Sequence, residues 1–269
     1  MILYYALGGG LGHLTRARKV LEALGMEATL LTASRFAGDP RVTGGLPVLR
    51  VPRALGRDRD RFRGWLERAL AALEPEELMV DSFPGGILGE LCAMELPRVR
   101  HVARRLRWEA YAERLTGPLP RYDVVYQLEP LSDDHARALH GRVERLALPI
   151  AAIGAPLVQE PHWIVVHSGP GHELDELLAH AAGAPRIVVV SPRPPARLPR
   201  RAEWRDVYPV APHLPHAQRI VTAAGFNVMQ ETAHLRDLHT FMPFERALDD
   251  QFARSGAERA AGLAVRDGT

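Results

Sequence analysis

Several features that mark particular classes of protein are scarce or absent in this chain of 269 residues. It has a single cysteine, Cys92, which excludes an internal disulfide; between Leu91 and Ala93 it is expected to be a buried thiol rather than a nucleophile. No stretch approaches the roughly 20 consecutive apolar residues that a membrane-spanning helix needs. No basic leader precedes the first apolar run, so we expect a cytoplasmic protein.

A strong charge of either sign is also lacking. The formal net charge is +2, which argues against a protein that binds nucleic acid. Twelve histidines are present, but the tightest pair, His213 and His216, is interrupted by Pro212 and Pro215. No carboxylate or cysteine lies nearby at metal-ligand spacing. The sequence therefore predicts neither a metal site nor a bound cofactor.

The composition, with 46% hydrophobic and 25% charged residues, is that of a folded globular protein. The length suits two α/β domains, and breaks at residues 155–161 predict domains at 1–156 and 157–269. Strands alternating with helices predict parallel sheets with right-handed crossovers. Beyond the first and central strands described below, strands are expected near residues 28–32, 48–51, 78–80, 98–102, 124–127, 145–148, 186–190, 206–210, 219–222 and 238–242.

The segment from residue 219 to 254 carries the most information. A short β-branched strand runs into Gly225, where the backbone can approach a ligand, and a helix is expected to begin near Asn227. The free amide groups of its first turn suit a phosphate. Glu231 lies one to two turns into this helix, where its carboxylate could accept hydrogen bonds from ribose hydroxyls. Beyond the next strand, Asp250 and Gln251 add further polar groups.

Two other strand, glycine-loop and helix units precede it. Residues 1–7 are expected to form an apolar strand, followed by a loop that contains Gly10 and Gly12. Glycines in this loop allow positive φ angles, and His13 lies at the start of the helix that follows. Residues 163–167 form a second buried strand. The loop that follows it has small or polar residues, Ser168, Gly169, Gly171 and His172, and a helix is expected over residues 173–182.

A fourth segment places an acid at the carboxyl end of a strand. Asp81 ends an apolar run and is followed by a Pro-Gly-Gly turn over residues 84–86. Because α/β sheets bind ligands at the carboxyl ends of their strands, Asp81 is a candidate catalytic residue. A helix N-cap or turn acceptor is the structural alternative.

These motifs resemble the donor site of two-domain glycosyltransferases with the GT-B fold, especially the family 28 enzymes that form lipid II from a UDP-sugar. Arg236 and Leu238 depart from that pattern, where a Gly and a Pro are usual. The resemblance implies two Rossmann-like α/β domains facing each other across a cleft, an acceptor domain followed by a donor domain. The positions that match in register are Gly225, Glu231, Pro243, Phe244 and Gln251.

The resemblance also implies roles for these residues. The glycine turns would face the donor diphosphate, Glu231 would hold the ribose, and the polar residues after Phe244 would contact sugar or ribose. It implies an inverting, metal-independent transfer from a nucleoside-diphosphate sugar, a uridine one by this resemblance, to an unknown hydroxyl. His13 is then the candidate base, the alternative being that it caps the glycine loop or binds the acceptor.

Two other functions are compatible with the same motifs. One is a nucleotide-sugar hydrolase, in which water takes the place of the acceptor. The other is a non-catalytic protein that binds a nucleotide sugar. The identity of the acceptor is left open, since lipid-linked and anionic acceptors are both compatible with the arginines of the first half. Peripheral contact with a membrane is a further alternative.

Overall fold

The computed structural model describes residues 1–257; residues 258–269 of the expected second domain lie outside this range. The chain forms two compact units. The first comprises Met1–Pro149 and the short segment Ala247–Asp249, and the second begins at Ile150 and resumes at Asp250. Within residues 1–257, no helix is both long and apolar enough to cross a bilayer.

The first unit is built on a seven-stranded parallel sheet in the order β3-β2-β1-β4-β5-β6-β7. Its central strands are rich in apolar residues because both faces of a parallel sheet are covered. The strands are β1 (Ile2–Tyr5), β2 (Thr29–Thr32), β3 (Val48–Arg50), β4 (Glu77–Asp81), β5 (Arg98–Ala103), β6 (Val124–Gln127) and β7 (Arg142–Arg145).

Helices connect most of these strands. They are α1 (Gly12–Leu24), α2 (Pro40–Thr43), α3 (Arg59–Leu73), α4 (Trp108–Ala112) and α5 (Asp133–Ala138), with a 3₁₀ turn at Arg53–Leu55. The ends of α1 and α3 follow from the sequence. Gly25 ends α1 in the left-handed conformation that glycine adopts without a steric penalty. Asp58 caps α3 by accepting a hydrogen bond from the Arg61 amide, and Phe62, Leu66 and Leu70 form its buried stripe.

The second unit has a five-stranded parallel sheet in the order β10-β9-β8-β11-β12. Residues 251–257 are helical as well. The elements are β8 (Trp163–Val166), α6 (Gly171–His180), β9 (Ile187–Val190), β10 (Ala202–Arg205), a 3₁₀ helix at Ala211–His216, β11 (Arg219–Ala223), α7 (Phe226–Glu231), a 3₁₀ helix at Ala233–Leu238 and β12 (His239–Met242).

Both sheets have the strand order of Rossmann-like folds. In each, the chain moves outward from a first strand in one direction and then returns to extend the sheet on the other side, so a topological switch point lies beside that strand. The switch points are between β1 and β4 and between β8 and β11. The expected α/β class and parallel sheets are confirmed, and Cys92 is buried as expected.

Two of the expected strands were wrong in position. The strand expected at 145–148 is β7 at Arg142–Arg145, and the one expected at 206–210 is β10 at Ala202–Arg205. Both are edge strands, and neither contains a fully buried residue. Because an edge strand is held mainly by backbone hydrogen bonds to one neighbour, it need not carry the apolar pattern on which the expectation rested.

The loop after β4 is held by a buried carboxyl group. Glu90 is fully buried, accepts a hydrogen bond from the Tyr5 hydroxyl, and accepts another from the Leu88 amide at 2.8 Å. Gly86 lies directly against it: a Cβ there would be 2.4 Å from the Glu90 carboxyl carbon, and its φ of +87° also favours glycine. Burial raises the pKa of Glu90 to about 7, although backbone amides in the loop oppose the shift.

This carboxyl group should make stability depend on pH. Since the folded state holds the proton more tightly than the unfolded chain, the free energy of unfolding should fall as the pH rises from about 4.5 to about 7, by about 3 kcal/mol. We expect Glu90→Gln to remove most of this loss, so that the variant exceeds the parent at pH 8 and resembles it at pH 5. Urea unfolding at both pH values measures this, with the exposed Glu113→Gln as control; equal pH dependence in Glu90→Gln and parent would contradict it.

Candidate active site

The candidate site of the first unit lies at the carboxyl ends of three neighbouring strands. His13 and Arg16 lie on α1, which follows β1. Asp81 ends β4, Ser82 comes next, and Arg104 follows β5. Since β1, β4 and β5 are adjacent in the sheet, groups far apart in sequence meet at the switch point where α/β sheets bind ligands.

His13 and Asp81, the two residues expected to be catalytic, are in direct contact. The His13 Nδ1 atom lies 2.6 Å from Oδ2 of Asp81, which is fully buried, while 14% of the His13 side chain is exposed. The His13 ring also packs near Phe83, with the ring centres 5.6 Å apart. Since an ionised carboxylate only accepts hydrogen bonds, the 2.6 Å contact requires His13 to donate through Nδ1–H in its neutral form, and Nε2 keeps its lone pair. Arg16 Nη2 also lies 3.1 Å from Nδ1, but it has shorter hydrogen bonds to Asp81 and Ser82.

Asp81 is held in its charged form by a buried arginine. Burial alone would raise the pKa of this carboxyl, but Arg16 and His13 outweigh it and hold the pKa well below its usual range. Arg16 pairs with both oxygens, through Nε to Oδ1 at 2.6 Å and through Nη2 to Oδ2 at 2.5 Å. Burial also lowers the pKa of His13, despite the nearby carboxylate. The pair is therefore a neutral imidazole beside an ionised carboxylate at physiological pH.

Ser82 links this pair to a second arginine. Its φ of +66° is unusual for a residue other than glycine, a departure often seen where a site fixes the backbone. The Ser82 hydroxyl oxygen accepts hydrogen bonds from Arg16 at 2.6 Å and from Arg104 at 2.9 Å. Arg104 also pairs with Asp249 at 2.5 Å. Two carboxylates thus balance the two arginines.

The first glycine loop differs in conformation from the expectation. Gly8, Gly9 and Gly10 do not adopt positive φ angles. Gly8 is required for space instead, because a Cβ there would lie 2.1 Å from a carbon of the His13 ring. Gly10 has open space where a side chain would project, its carbonyl accepts a hydrogen bond from the Ser34 hydroxyl, and Gly12 is the first residue of α1.

The central loop brings the expected residues Ser168, Gly169, Gly171 and His172 to the exposed start of α6, after β8. An ion pair between the buried Glu173 and the half-buried Arg246 was not expected. Arg246 pairs with both oxygens of Glu173 at 2.5 Å, and His167 Nε2 lies 3.1 Å from the same carboxylate. A Cβ on Gly169 would be 2.7 Å from His167 Nε2, so this glycine allows the loop to lie on the imidazole.

The carboxyl-terminal motif lies at the same edge of the second sheet, since β11 is parallel to β8 beside it and β12 is parallel to β11. Gly225 is the residue before α7, and a Cβ there would meet no protein atom within 4 Å. Asn227 lies in the first turn of α7 and Glu231 is its last residue; both are half-buried. The helix expected near Asn227 therefore begins one residue earlier, at Phe226.

The residues after β12 have structural contacts of their own. The amide of Phe244 donates a hydrogen bond to Oε1 of Gln251 at 3.0 Å, and both side chains are buried. Asp250 accepts a hydrogen bond from the Ala253 amide at 3.0 Å, as a helix-capping residue does. Their expected contacts with sugar or ribose remain predictions.

Arg16, Ser82 and the Glu173–Arg246 pair were not expected from the sequence. One signal was available for Arg16: it lies three residues after His13, on the same helix face, and among the apolar residues of the buried stripe of α1. A buried arginine requires a partner. The Glu173–Arg246 pair joins residues 73 apart in sequence, and no local pattern reveals it.

The histidines considered for metal binding have other partners. A ring nitrogen of His213 donates to the Ala155 carbonyl and one of His216 to the Gly154 carbonyl, both at 2.6 Å. In the part of the chain that the structure describes, no group of three or more histidine, cysteine or acidic side chains is placed to hold a metal ion.

No protein-family model matches this chain, and no curated protein sequence matches it at a significant level. Several solved structures are similar to it. The spinosyn rhamnosyltransferase SpnG, complexed with thymidine diphosphate, is similar over 97% of this chain and 85% of its own, with a TM-score of 0.61 and 18% identity. The glycosyltransferase SsfS6 of Streptomyces sp. SF2575, also complexed with thymidine diphosphate, is similar over 91% of this chain and 82% of its own, with a TM-score of 0.58 and 14% identity.

A third similar structure is the sucrose-phosphate synthase of Thermosynechococcus elongatus, over 97% of this chain and 89% of its own, with a TM-score of 0.55 and 13% identity. At these identities the likeness concerns the fold. The narrower resemblance to the lipid II-forming enzymes remains a prediction. The chain thus has the two-unit Rossmann-like fold of glycosyltransferases of the GT-B type.

Proposed function

We propose that this protein is a glycosyltransferase that moves a sugar from a nucleoside diphosphate to a hydroxyl acceptor, with His13 as the base. The observation that carries the proposal is the contact between His13 and the buried, ionised Asp81 at the switch point of the first sheet. A neutral imidazole with one nitrogen held by a carboxylate has its other nitrogen ready to accept a proton.

We propose that transfer is a single displacement at the anomeric carbon of the donor sugar. The acceptor hydroxyl gives its proton to Nε2 of His13 as its oxygen forms a bond to the anomeric carbon of the sugar. The bond from that carbon to the diphosphate oxygen breaks, and the nucleoside diphosphate leaves with the electron pair. Attack from the face opposite the leaving group inverts the anomeric centre. Asp81 then faces an imidazolium, which its negative charge stabilises.

We propose that the second unit binds the donor and the first unit the acceptor. The loops at Ser168–His172 and at Gly225, after adjacent strands, have exposed or open backbone suited to a diphosphate. Helix dipoles and arginine side chains can stabilise the departing group without a metal ion. The family resemblance favours uridine as the base. Thymidine is the alternative, because two of the similar structures contain thymidine diphosphate.

Ligand-induced thermal stabilisation tests the donor assignment. A ligand at 100 times its Kd adds about 2.7 kcal/mol to the free energy of unfolding. We expect uridine or thymidine diphosphate, and their sugar conjugates, to raise the Tm, and adenosine diphosphate to have little effect. The donor should remain intact until an acceptor is added. Release of free sugar without an acceptor would identify a hydrolase instead, and the absence of any shift would contradict nucleotide binding.

Glu231 provides a point test of the same assignment. If it accepts hydrogen bonds from the ribose, Glu231→Ala should weaken nucleotide affinity by about 10- to 100-fold, the loss expected for a charged hydrogen bond. Isothermal titration calorimetry with the stabilising nucleotide measures this. Glu22→Ala, at an exposed position near the end of α1, is the matched control. Equal affinity in Glu231→Ala and the parent would show that the ribose lies elsewhere.

A further inference from the structure

Arg16 stands out because a charged side chain occupies the apolar face of α1. It is 2% exposed and lies on the buried stripe with Leu14, Ala17, Val20 and Leu21. Burying a guanidinium is unfavourable unless its charge and its N–H groups are satisfied. Here they are directed at the proposed catalytic pair: three of the hydrogen bonds of Arg16 go to Asp81 and Ser82.

Arg16 and His13 compete for the same carboxylate oxygen. Oδ2 of Asp81 is 2.5 Å from Nη2 of Arg16 and 2.6 Å from Nδ1 of His13. Oδ1 is bound by Nε of Arg16, so the guanidinium fixes both oxygens and the plane of the carboxylate. The two residues lie three positions apart on α1, which places them on one face of the helix.

We propose that Arg16 is a positioning residue: its two-point pairing orients Asp81 toward His13 and takes up part of the carboxylate charge, so that His13 stays a neutral base into mildly acidic solution. This inference rests on the proposed function in assigning His13 as the base. A carboxylate that faced the imidazole alone would favour the imidazolium, which has no free lone pair. The paired cation reduces that preference while keeping the hydrogen bond that orients the ring.

Burial and three charged groups set the pKa of His13. Burial lowers the pKa of His13 first, Asp81 on β4 raises it, and Arg16 on α1 and Arg104 after β5 lower it. Arg104 is paired with Asp249, and its link to the pair runs through the uncharged hydroxyl of Ser82. Arg16 is thus the cation in direct contact with the Asp81 carboxylate.

The titration of His13 is the direct test, and it needs no substrate. In the full-length protein with labelled histidine, the C–H signals of His13, assigned by their loss in His13→Gln, are followed from pH 4 to pH 9. We expect Arg16→Lys and Arg16→Met to raise the pKa of His13 relative to the parent, by at least one pH unit in Arg16→Met. Arg41→Met, at an exposed arginine paired with Asp39, is the control and should leave it unchanged.

The second readout is the pH dependence of kcat/KM for transfer. In Arg16→Lys we expect the acid limb to move to higher pH, with a loss of at least 10-fold at pH 6 and a smaller loss at pH 8.5. A purely structural role would lower the rate equally at all pH values. An unchanged His13 titration in the folded variants would overturn the proposal. If the pKa of His13 rises in the Arg16 variants but His13→Ala retains full activity, the proposed function fails, while Arg16 would still set the pKa of His13.

Discussion

Replacement of His13 by alanine is expected to lower kcat by about 10²- to 10⁴-fold, the usual contribution of a positioned general base. The acceptor hydroxyl would have no group to receive its proton, since Asp81 is fully buried and already bound by Arg16. Nucleotide affinity should change little, because the proposed donor loops belong to the second unit. Steady-state kinetics with the donor identified by thermal stabilisation measures the first quantity, and calorimetry the second.

The matched control for this experiment is His140→Ala, which removes an exposed imidazole from the same unit. Its kcat should equal that of the parent. A His13→Ala variant that transfers sugar at the parental rate would remove His13 from the mechanism. A variant that loses nucleotide binding as well would place His13 in the donor site rather than beside the acceptor.

Asp81→Ala should have the largest effect on stability. Removing one partner of a buried charge pair typically costs about 3–5 kcal/mol, because the other charge remains buried without compensation. Here that charge is the guanidinium of Arg16, whose side chain is 3% exposed. Urea unfolding at pH 7 measures the loss in the free energy of unfolding.

An exposed ion pair in the same unit supplies the comparison. Asp123 pairs with Arg98 at 2.9 Å, and their side chains are 48% and 65% exposed. Asp123→Ala should therefore cost no more than about 1 kcal/mol. If Asp81→Ala lost as little as this control, the buried network would not contribute to folding as its geometry indicates. Asp81→Asn, which preserves the shape of the side chain, separates the loss of charge from the loss of volume.

The parts of the site that could be predicted are those set by local sequence. Glycines after short β-branched strands identify the loops, and parallel topology then brings their carboxyl ends to one edge of a sheet. For this reason His13 and Asp81 could both be chosen although 68 positions separate them. The loops at Gly169 and Gly225 follow β8 and β11, which are neighbours in the second sheet.

The parts that could not be predicted depend on tertiary contacts. Nothing near Arg104 in the sequence indicates that it bonds Ser82, or that Asp249, 145 positions away, neutralises it. The edge strands β7 and β10 were misplaced because an edge position relaxes the apolar pattern that identifies central strands. The role of Gly8 also depends on a contact, since it leaves room for the His13 ring rather than forming a left-handed turn.

The return of residues 247–249 to the first unit constrains how this protein could be divided or recombined. Leu248 is buried with Phe83, Leu106 and Tyr111, its carbonyl accepts a hydrogen bond from the Arg107 amide, and Asp249 pairs with Arg104. A fragment ending at residue 156 would leave a hydrophobic gap beside Leu106 and would lose the carboxylate that pairs with Arg104. Chimeras that exchange the second unit between proteins of this fold should therefore take residues 247–249 from the same parent as the first unit, although these residues lie within the carboxyl-terminal part of the sequence.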